Sequence, residues 1–509
     1  MKLLFIFHED ENEPPSFPLG AGLLSSVIKR EGHETTGIFF HADPEEGVKI
    51  EELVKDVAKI SPDLICYSFN SVSLDAIKII ASELKTHFSI PSIAGGVHAT
   101  LYPEETAEID GIDYVCRGDG ERCLVEVVNR LESGKECLDI AGIYANRNGK
   151  TIMNQMHSEL IDLDSLPNID YDLFGAEVIK KQTSDGWLRY ITSRGCPYNC
   201  SYCHIKMLRE AYSEGMGVSA GKVGFIRFRS VDLIIDEMIE MSQKYNLKVV
   251  NFMDDLFALK KERTLEFCRK FKERAPESLG YSIQTHLEQL DGDVVETLRG
   301  SRCLRIVVGV ESGNNRILKL LKRDTNLDKM KVRLASLVNA KFPLGTWTLN
   351  MIGNPTETKA EMIDTLAFNA SALADTVKIN MMAPYPGSEI YDYCVDNKLF
   401  RKEPSGQNIG DRYEETKLLF PEEERAFLEK FFDVGHWYMN IHAPLNVGKY
   451  YHPLIEEVEK VSFGKWPDVK DRFMQMDQEV SEEIRREGLR YYDFIYKGKV
   501  SGKAIGLVG

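Results

Sequence analysis

The chain has 509 residues, more than one typical core holds, so two or three domains are expected. Its hydrophobic share of 43% and charged share of 28% are ordinary for a globular protein and exclude a disordered chain. A formal net charge of −16 repels phosphate backbones and disfavours nucleic acid as the main partner.

The N-terminal apolar run is too short for a signal peptide, and no stretch reaches the ~18 apolar residues of a membrane span. We therefore expect a cytoplasmic protein without a transmembrane segment. Ten cysteines in such a chain argue against a disulfide framework. Seven of them are scattered, mostly in apolar contexts, and are predicted to be small buried hydrophobes.

Residues 1–135 alternate short apolar runs with amphipathic helical patterns. This rhythm predicts a parallel sheet covered on both faces, a Rossmann-like doubly wound domain with ligands at the carboxyl ends of its strands. The predicted strands are Leu3–Phe7, Thr35–Phe40, Leu64–Phe69, Ser92–Ala94 and Tyr114–Cys116. The predicted helices are Leu19–Arg30, Ile50–Ile60, Ser73–Lys85 and Glu121–Leu131.

Residues 136–188 break the rhythm. Ile140–Asn146 and Lys150–Asn154, joined by a turn with Gly149, predict a β-hairpin, and a linker follows it. From 189 to 395 strands and helices alternate again, which predicts a parallel (β/α)6 partial barrel. Its predicted strands are Arg189–Thr192, Val249–Met253, Gly280–Gln284, Leu304–Val310, Gly345–Met351 and Thr376–Met382.

Residues 396–509 show no clear strand run. Helical patterns cover Glu422–Asn440 and Asp468–Tyr496, so a helical C-terminal region is predicted. The predicted fold class is thus α/β throughout: a doubly wound domain, a partial barrel and a helical extension.

Three cysteines stand within eight residues, directly after the first predicted barrel strand. Cys196, Cys200 and Cys203 have the spacing CxxxCxxC, which lets three thiolates bind three irons of one [4Fe–4S] cluster and leaves the fourth iron open. The alternative is a zinc site, but zinc needs a fourth ligand. His204 adjoins the third cysteine and is badly placed for that role.

This motif, with Tyr202 just before the last cysteine, resembles the signature of the radical S-adenosylmethionine (SAM) superfamily. The resemblance implies that the open iron binds SAM and that cleavage of SAM yields a 5′-deoxyadenosyl radical. It implies SAM contacts after the second, third and fourth barrel strands. The residues concerned, together with Tyr202, are Asp254, Asp255, Gln284, His286, Glu311 and Ser312.

A Rossmann-like domain before such a barrel resembles the cobalamin-binding subfamily of radical SAM enzymes. The resemblance spans residues 1 to about 400 and implies cobalamin contacts in three strand-end loops. Glycines and small hydroxyl residues there would let the backbone approach a bulky nucleotide tail. The implied contacts are Ser68, Asn70, Ser71, Gly95, Gly96, Gly118, Gly120 and Glu121.

Two missing motifs narrow the ligand of this first domain. The first strand–helix turn lacks GxGxxG, which disfavours a dinucleotide. It also lacks the DxHxxG motif of cobalamin mutases, so no protein histidine is expected to ligate cobalt from below.

The resemblance implies a methyltransferase that acts on an unactivated carbon by means of the deoxyadenosyl radical and methylcobalamin. A cobalamin-dependent cyclase or ring-rearranging enzyme is the alternative, and a methylthiotransferase or a non-catalytic metal-binding protein is less favoured. The expected partners are a small-molecule, lipid, tetrapyrrole or peptide substrate and an electron donor such as flavodoxin or ferredoxin. No catalytic acid or base is assigned.

Overall fold

The computed structural model describes residues 1–10, 17–43, 47–48, 50–323, 325–402, 416–495 and 499–503. The chain divides into two compact units. The first comprises Met1–Pro197 and His204–Met253, and the second comprises Tyr198–Cys203 and Asp254–Gly509. These units cut across the four predicted segments (1–135, 136–188, 189–395 and 396–509), whose boundaries stay predictions.

The first unit is built on an eight-stranded sheet in the order β3-β2-β1-β4-β5-β6-β7-β8. Its central strands are parallel, as predicted, and the apolar runs of β1, β4, β5 and β6 are buried. The strands are β1 Lys2–Asp10, β2 Glu34–Asp43, β3 Gly47–Val48, β4 Leu64–Ser68, β5 Ser92–Gly95, β6 Tyr114–Cys116, β7 Ile143–Arg147 and β8 Lys150–Met153.

The predicted hairpin is confirmed as β7 and β8, and it has a further role. Strand β7 pairs antiparallel with β6, so the hairpin extends the sheet. Four shorter strands complete this unit: β9 and β12 pair in parallel, and β10 and β11 pair antiparallel. They are β9 Trp187–Tyr190, β10 Ser193–Arg194, β11 Arg227–Phe228 and β12 Val249–Phe252.

The helices of the first unit flank these strands. They are α1 Leu19–Arg30, α2 Ile50–Ile60, α3 Leu74–His87, α4 Val97–Leu101, α5 Pro103–Ala107, α6 Gly120–Glu132, α7 Ala176–Gln182, α8 His204–Gly215 and α9 Val231–Tyr245. Helix α8 was not predicted. Its apolar residues Ile205, Leu208 and Tyr212 recur at helical spacing and pack in a small cluster with Met156 and Phe225.

The order of the parallel strands fixes where this unit can bind a ligand. Strand β1 has β2 on one side and β4 on the other, so the chain reverses direction across the sheet between β1 and β4. In doubly wound sheets ligands bind outside the carboxyl ends of the strands at such a switch point. The loop after β4 therefore lies at the switch point, and the loops after β5 and β6 follow it along the same edge of the sheet.

The second unit contains four consecutive parallel strands, β13 to β16, and a terminal antiparallel pair. The strands are β13 Gly280–His286, β14 Cys303–Glu311, β15 Thr346–Ile352, β16 Thr376–Met381, β17 Tyr491–Ile495 and β18 Lys499–Lys503. The helices are α10 Lys261–Arg274, α11 Gly292–Gly300, α12 Asn315–Leu320, α13 Leu327–Asn339, α14 Lys359–Ser371, α15 Glu389–Asp396, α16 Glu422–His442, α17 Gly448–Val458 and α18 Trp466–Arg486.

The predicted α/β fold class is confirmed, with helices α16 to α18 near the C-terminus. The prediction of one helix over Asp468–Tyr496 is wrong at its end. Gly488 takes a positive φ of 71° and closes α18, and the aromatic segment after it forms β17 instead. No helix in the described ranges is both long and apolar enough to cross a bilayer.

Candidate cofactor sites

The second half of the cysteine loop, residues 198–203, is fixed within the second unit. Cys200 is 7% exposed, and the Arg323 guanidinium donates to its Sγ at 3.9 Å. The backbone N–H of Ser201 donates to the Leu321 carbonyl at 3.0 Å, and the Ser201 hydroxyl donates to the Leu320 carbonyl at 2.9 Å. The end of α12 therefore holds this part of the loop.

The first cysteine belongs to the first unit. Cys196 is half-buried, and its carbonyl accepts a hydrogen bond from Arg209 of α8 at 3.2 Å. Gly195 before it has a φ of 93°, and a Cβ there would lie 2.7 Å from the Phe225 carbonyl oxygen. Only glycine suits this position, because it combines a left-handed backbone with close contact to another chain segment.

Tyr202, Glu311 and Arg323 form an electrostatic group beside Cys200. Glu311 lies 3.8 Å from Arg323, and their side chains are only 13% and 9% exposed. Burial raises the pKa of Glu311, although Arg323 and a hydrogen bond from Tyr202 oppose the rise. Burial and the nearby Glu311 raise the pKa of Tyr202 well above its usual value. The phenol is therefore neutral, and Arg323 supplies the positive charge at this thiol.

Glu311 has an unusual backbone. It ends β14 with a φ of 68°, and the register with β15 shifts between Gly309 and Glu311. Arg323 donates to the Gly309 carbonyl at 2.7 Å across this irregularity. A left-handed conformation at a non-glycine residue is strained and concentrates at functional sites, and a bulge re-aims the side chain.

His286 ends β13 and stacks on Tyr198 of the cysteine loop, with ring centroids 4.5 Å apart. Its Nδ1 accepts a hydrogen bond from the Glu288 backbone N–H at 3.2 Å. Burial and the nearby Arg323 lower the pKa of His286 to about 3, so the imidazole is neutral and its Nε2 carries the proton. Within the described ranges, Nε2 has no hydrogen-bond partner.

The remaining predicted SAM contacts lie at strand ends or just beyond them in the second unit. Asp254 is fully buried and Asp255 half-buried, and Gln284 is half-buried near the end of β13. Ser312 is fully buried, with its hydroxyl 3.2 Å from the Thr365 hydroxyl. Ser312 is therefore engaged in packing β14 against α14.

The loops after β4 and β5 meet closely. Asn70 is exposed and caps the turn after it by accepting the Val72 N–H at 2.9 Å, and the Ser71 hydroxyl lies 3.0 Å from His98 Nδ1. A Cβ on Gly96, whose φ is 99°, would lie 2.6 Å from the Phe69 carbonyl oxygen, whereas one on Gly95 would meet nothing within 4 Å. Gly95 thus leaves open space beside a tightly packed turn.

In the loop after β6, the predicted contact residues are packed against or bound to other residues of this chain. Gly118 has a φ of 93°, and a Cβ there would collide with Met156 at 2.1 Å. Gly120 begins α6 close to Leu24. Glu121 is 4% exposed on its side chain and forms a short ion pair with Arg194. Its carboxylate therefore binds a guanidinium of this chain.

The types of side chain at these positions suit the cofactors that the resemblance implies. Three cysteines in one loop, with a guanidinium at one thiol, suit an anionic thiolate cluster. The neutral Nε2–H of His286 is a donor without a hydrogen-bond partner among the residues that the structure describes. Gly95 and half-buried Ser68 line an open loop edge that a large ligand can approach. Among the described residues, no three His, Cys, Asp or Glu side chains are grouped as ligands of a single metal ion.

The other seven cysteines are all buried, as predicted. Burial raises the thiol pKa of Cys66, of Cys268 and, to about 12, of Cys394. Protonated, enclosed thiols are poor metal ligands. These seven buried thiols are therefore poor competitors of the Cys196, Cys200 and Cys203 loop for iron.

Sequence reasoning missed two arginines near the cysteines, Arg323 and Arg194. Arg323 follows α12, 123 residues after Cys200, and nothing in its local sequence marks it. Arg194 stands two residues before Cys196, and this position beside the cysteine motif could have marked it as a functional candidate.

Comparison with known proteins finds two family models that match parts of the chain. Residues 190–368 match the radical SAM superfamily, and residues 13–128 match the B12 binding domain. An uncharacterized methyltransferase of Pyrococcus horikoshii is 28% identical over 391 residues, which cover 75% of this chain and 79% of that protein.

Two further proteins extend the comparison. The anaerobic magnesium-protoporphyrin IX monomethyl ester cyclase of Rubrivivax gelatinosus is 20% identical over 426 residues, 78% of this chain and 70% of the cyclase. The solved structure of the radical S-adenosylmethionine methyltransferase TsrM from Kitasatospora setae, with tryptophan and a SAM analogue, is 16% identical. It covers 80% of both chains with a TM-score of 0.64, which shows a shared fold.

Proposed function

This chain belongs to the cobalamin-dependent radical SAM enzymes, and from that premise we propose that it is a methyltransferase acting on an unactivated carbon. Its cofactors are a [4Fe–4S] cluster, SAM and cobalamin. When bound, they supply a 5′-deoxyadenosyl radical for hydrogen abstraction and a methyl group for transfer. The proposal of methyl transfer rests on the uncharacterized methyltransferase of Pyrococcus horikoshii, because the similarity extends over at least three quarters of both proteins.

In this proposal Cys196, Cys200 and Cys203 hold the cluster. Arg323 places a positive charge 3.9 Å from the Cys200 Sγ, where it would offset the negative charge of a bound cluster. His286 remains neutral and offers its Nε2–H to a ligand.

The SAM contacts are proposed for strand-end residues of the second unit. Glu311 accepts hydrogen bonds from the ligand, with Tyr202 and Arg323 holding its carboxylate in place. The other proposed contacts are Asp254, Asp255, Gln284 and Ser312.

Cobalamin is proposed to bind at the switch point of the first sheet, outside the ends of β4, β5 and β6. The proposed contacts are Ser68, Asn70, Ser71, Gly95, Gly96, Gly118 and Gly120. Glu121 supports this loop through Arg194.

We propose a small-molecule, lipid, tetrapyrrole or peptide substrate and a flavodoxin or ferredoxin as the electron donor. We also propose that the protein acts in the cytoplasm. The acidic chain, with a net charge of −16, supports a substrate other than nucleic acid.

The test is anaerobic reconstitution with iron and sulfide, followed by iron, sulfide and cobalt counts and a dithionite assay for 5′-deoxyadenosine. We expect Cys200→Ala to lose the cluster spectrum and SAM cleavage. Cys268→Ala removes a buried thiol far along the chain and should keep both. Zinc in place of iron, or SAM cleavage that survives Cys200→Ala, would overturn the cluster assignment.

A second function, cyclisation or ring rearrangement without net methylation, is favoured by the cyclase relative. Product mass separates the two. With SAM carrying a deuterated methyl group, a methyltransferase product gains that group, whereas a cyclase product shows no label.

A further inference from the structure

Asp119, in the loop after β6, is the centre of an ion network within the first unit. Its carboxylate accepts hydrogen bonds from Arg194 at 2.9 Å, from Arg227 at 2.6 Å and from the Tyr212 hydroxyl at 2.8 Å. Glu121 binds the other end of the Arg194 guanidinium. The Asp119, Arg194 and Arg227 side chains are at most 25% exposed, and the two acids balance the two arginines.

Two features show that the Asp119 carboxylate is committed to the two arginines. Arg194 and Arg227 are direct partners in the β10–β11 ladder, where like charges repel unless an anion bridges them. Asp119 is also the N-cap of α6, yet its side chain makes no capping hydrogen bond. An aspartate at this position normally caps its own helix, and here the carboxylate serves the arginines instead.

The partners of Asp119 flank the cysteine loop on both sides. Arg194 stands two residues before Cys196, and Tyr212 lies on α8, which begins directly after Cys203. Helix α8 also returns to the loop, because Arg209 donates to the Cys196 carbonyl at 3.2 Å and to the Pro197 carbonyl at 3.0 Å. One carboxylate therefore fixes both stems of the loop.

Asp119 itself stands in the loop after β6, which is part of the proposed cobalamin edge. Gly118 and Gly120 adjoin it in sequence, and Gly118 is packed against Met156 with no room for a side chain. The guanidinium of Arg117 is likewise bound to Glu214 of α8 at 2.7 Å. A ligand that displaces this loop must pull on the stems of the cysteine loop.

We propose that Asp119 is a positioning residue that couples cobalamin in the first domain to SAM at the cluster. The coupling rests on the proposed cluster and cobalamin assignments, but not on methyl transfer. Because linkage is reciprocal, each cofactor then raises the affinity for the other.

The experiment measures SAM binding to anaerobic, cluster-loaded protein by equilibrium dialysis, with and without hydroxocobalamin and without any substrate. In the wild type we expect hydroxocobalamin to raise the SAM affinity at least threefold and to change the electron paramagnetic resonance spectrum of the reduced cluster. In Asp119→Asn we expect the affinity ratio to fall to about one, with the iron content kept.

Three further variants make the result specific. Tyr212→Phe removes a single hydrogen bond to Asp119 and keeps the ring, so it should weaken the coupling even if Asp119→Asn fails to fold. Asp119→Glu should restore part of it. Glu237→Gln alters another buried arginine contact of this unit, Arg229–Glu237, and should leave the coupling intact. Equal SAM affinity with and without hydroxocobalamin in the wild type, or undiminished coupling in Tyr212→Phe, overturns the proposal whether or not a methylated product forms.

Discussion

At the scale of single residues, Glu311 is the clearest sign of function in the second unit. It has a left-handed backbone at the end of a buried strand and a side chain only 13% exposed. Such a conformation costs on the order of 1–3 kcal/mol and persists only where neighbours enforce it. Arg323 does so by contacting both the Gly309 carbonyl and the Glu311 carboxylate.

Glu311→Gln keeps the shape of the side chain and removes its charge. We expect the SAM dissociation constant to rise at least tenfold, about 1.4 kcal/mol, because a neutral amide is a weaker acceptor for a charged ligand. The iron content should not change. Equilibrium dialysis of the reconstituted variant and an iron assay measure both quantities.

Glu357→Gln is the matched control for this prediction. Burial raises the pKa of Glu357 to about 8, so the side chain is already neutral near pH 7. We therefore expect wild-type SAM affinity from this variant. An equal loss of affinity in both variants would contradict a specific role for Glu311.

At the scale of elements, the C-terminal strands complete the second sheet. Strand β18 pairs antiparallel with β16 and β17 pairs with β18, so the edge of the parallel sheet is covered. Tyr492 of β17 is fully buried and exchanges two backbone hydrogen bonds of 2.8 Å with the Asn440 side chain. Its hydroxyl donates to the Ala374 carbonyl at 3.1 Å.

Tyr492→Ala should destabilise the second unit by about 3–5 kcal/mol, since it removes a large buried aromatic side chain and leaves a cavity. The measurement is thermal unfolding followed by circular dichroism. Val332→Ala, at a position 71% exposed, should shift the unfolding temperature little. A comparable shift in both variants would show that β17 does not stabilise the unit.

At the scale of the whole molecule, the net charge of −16 would affect the encounter with the proposed protein electron donor. Long-range repulsion slows the approach of another acidic protein, and salt screens that repulsion. With an acidic flavodoxin as reductant, we expect cluster reduction to accelerate between about 20 mM and 200 mM salt. Stopped-flow absorbance measures this rate, with dithionite as the small-molecule control. A rate that falls with salt would instead indicate a local basic docking patch.

Much of the fold could be predicted because its signals are local. Buried strands such as Leu64–Ser68 are continuous apolar runs between amphipathic helices, and three cysteines in eight residues mark the proposed cluster loop. The end of the tail was mispredicted because its aromatic residues follow a long helical pattern, and only Gly488 marks the change.

The parts that were missed depend on contacts distant in sequence. Arg323 reaches Cys200 across 123 residues, and Asp119 reaches Arg227 across 108. Glu121 was predicted as a cobalamin contact, and in the structure its carboxylate forms an ion pair with Arg194. No local pattern reports which charged side chain a folded chain will bring to another.

The burial of the seven remaining thiols has a practical consequence for anyone handling this protein. Alkylating reagents and oxygen reach accessible sulfur first, so damage in the apoprotein will begin at half-buried Cys196 and Cys203. A preparation exposed to air can thus lose the proposed iron ligands while its fold, and most of its cysteines, remain untouched.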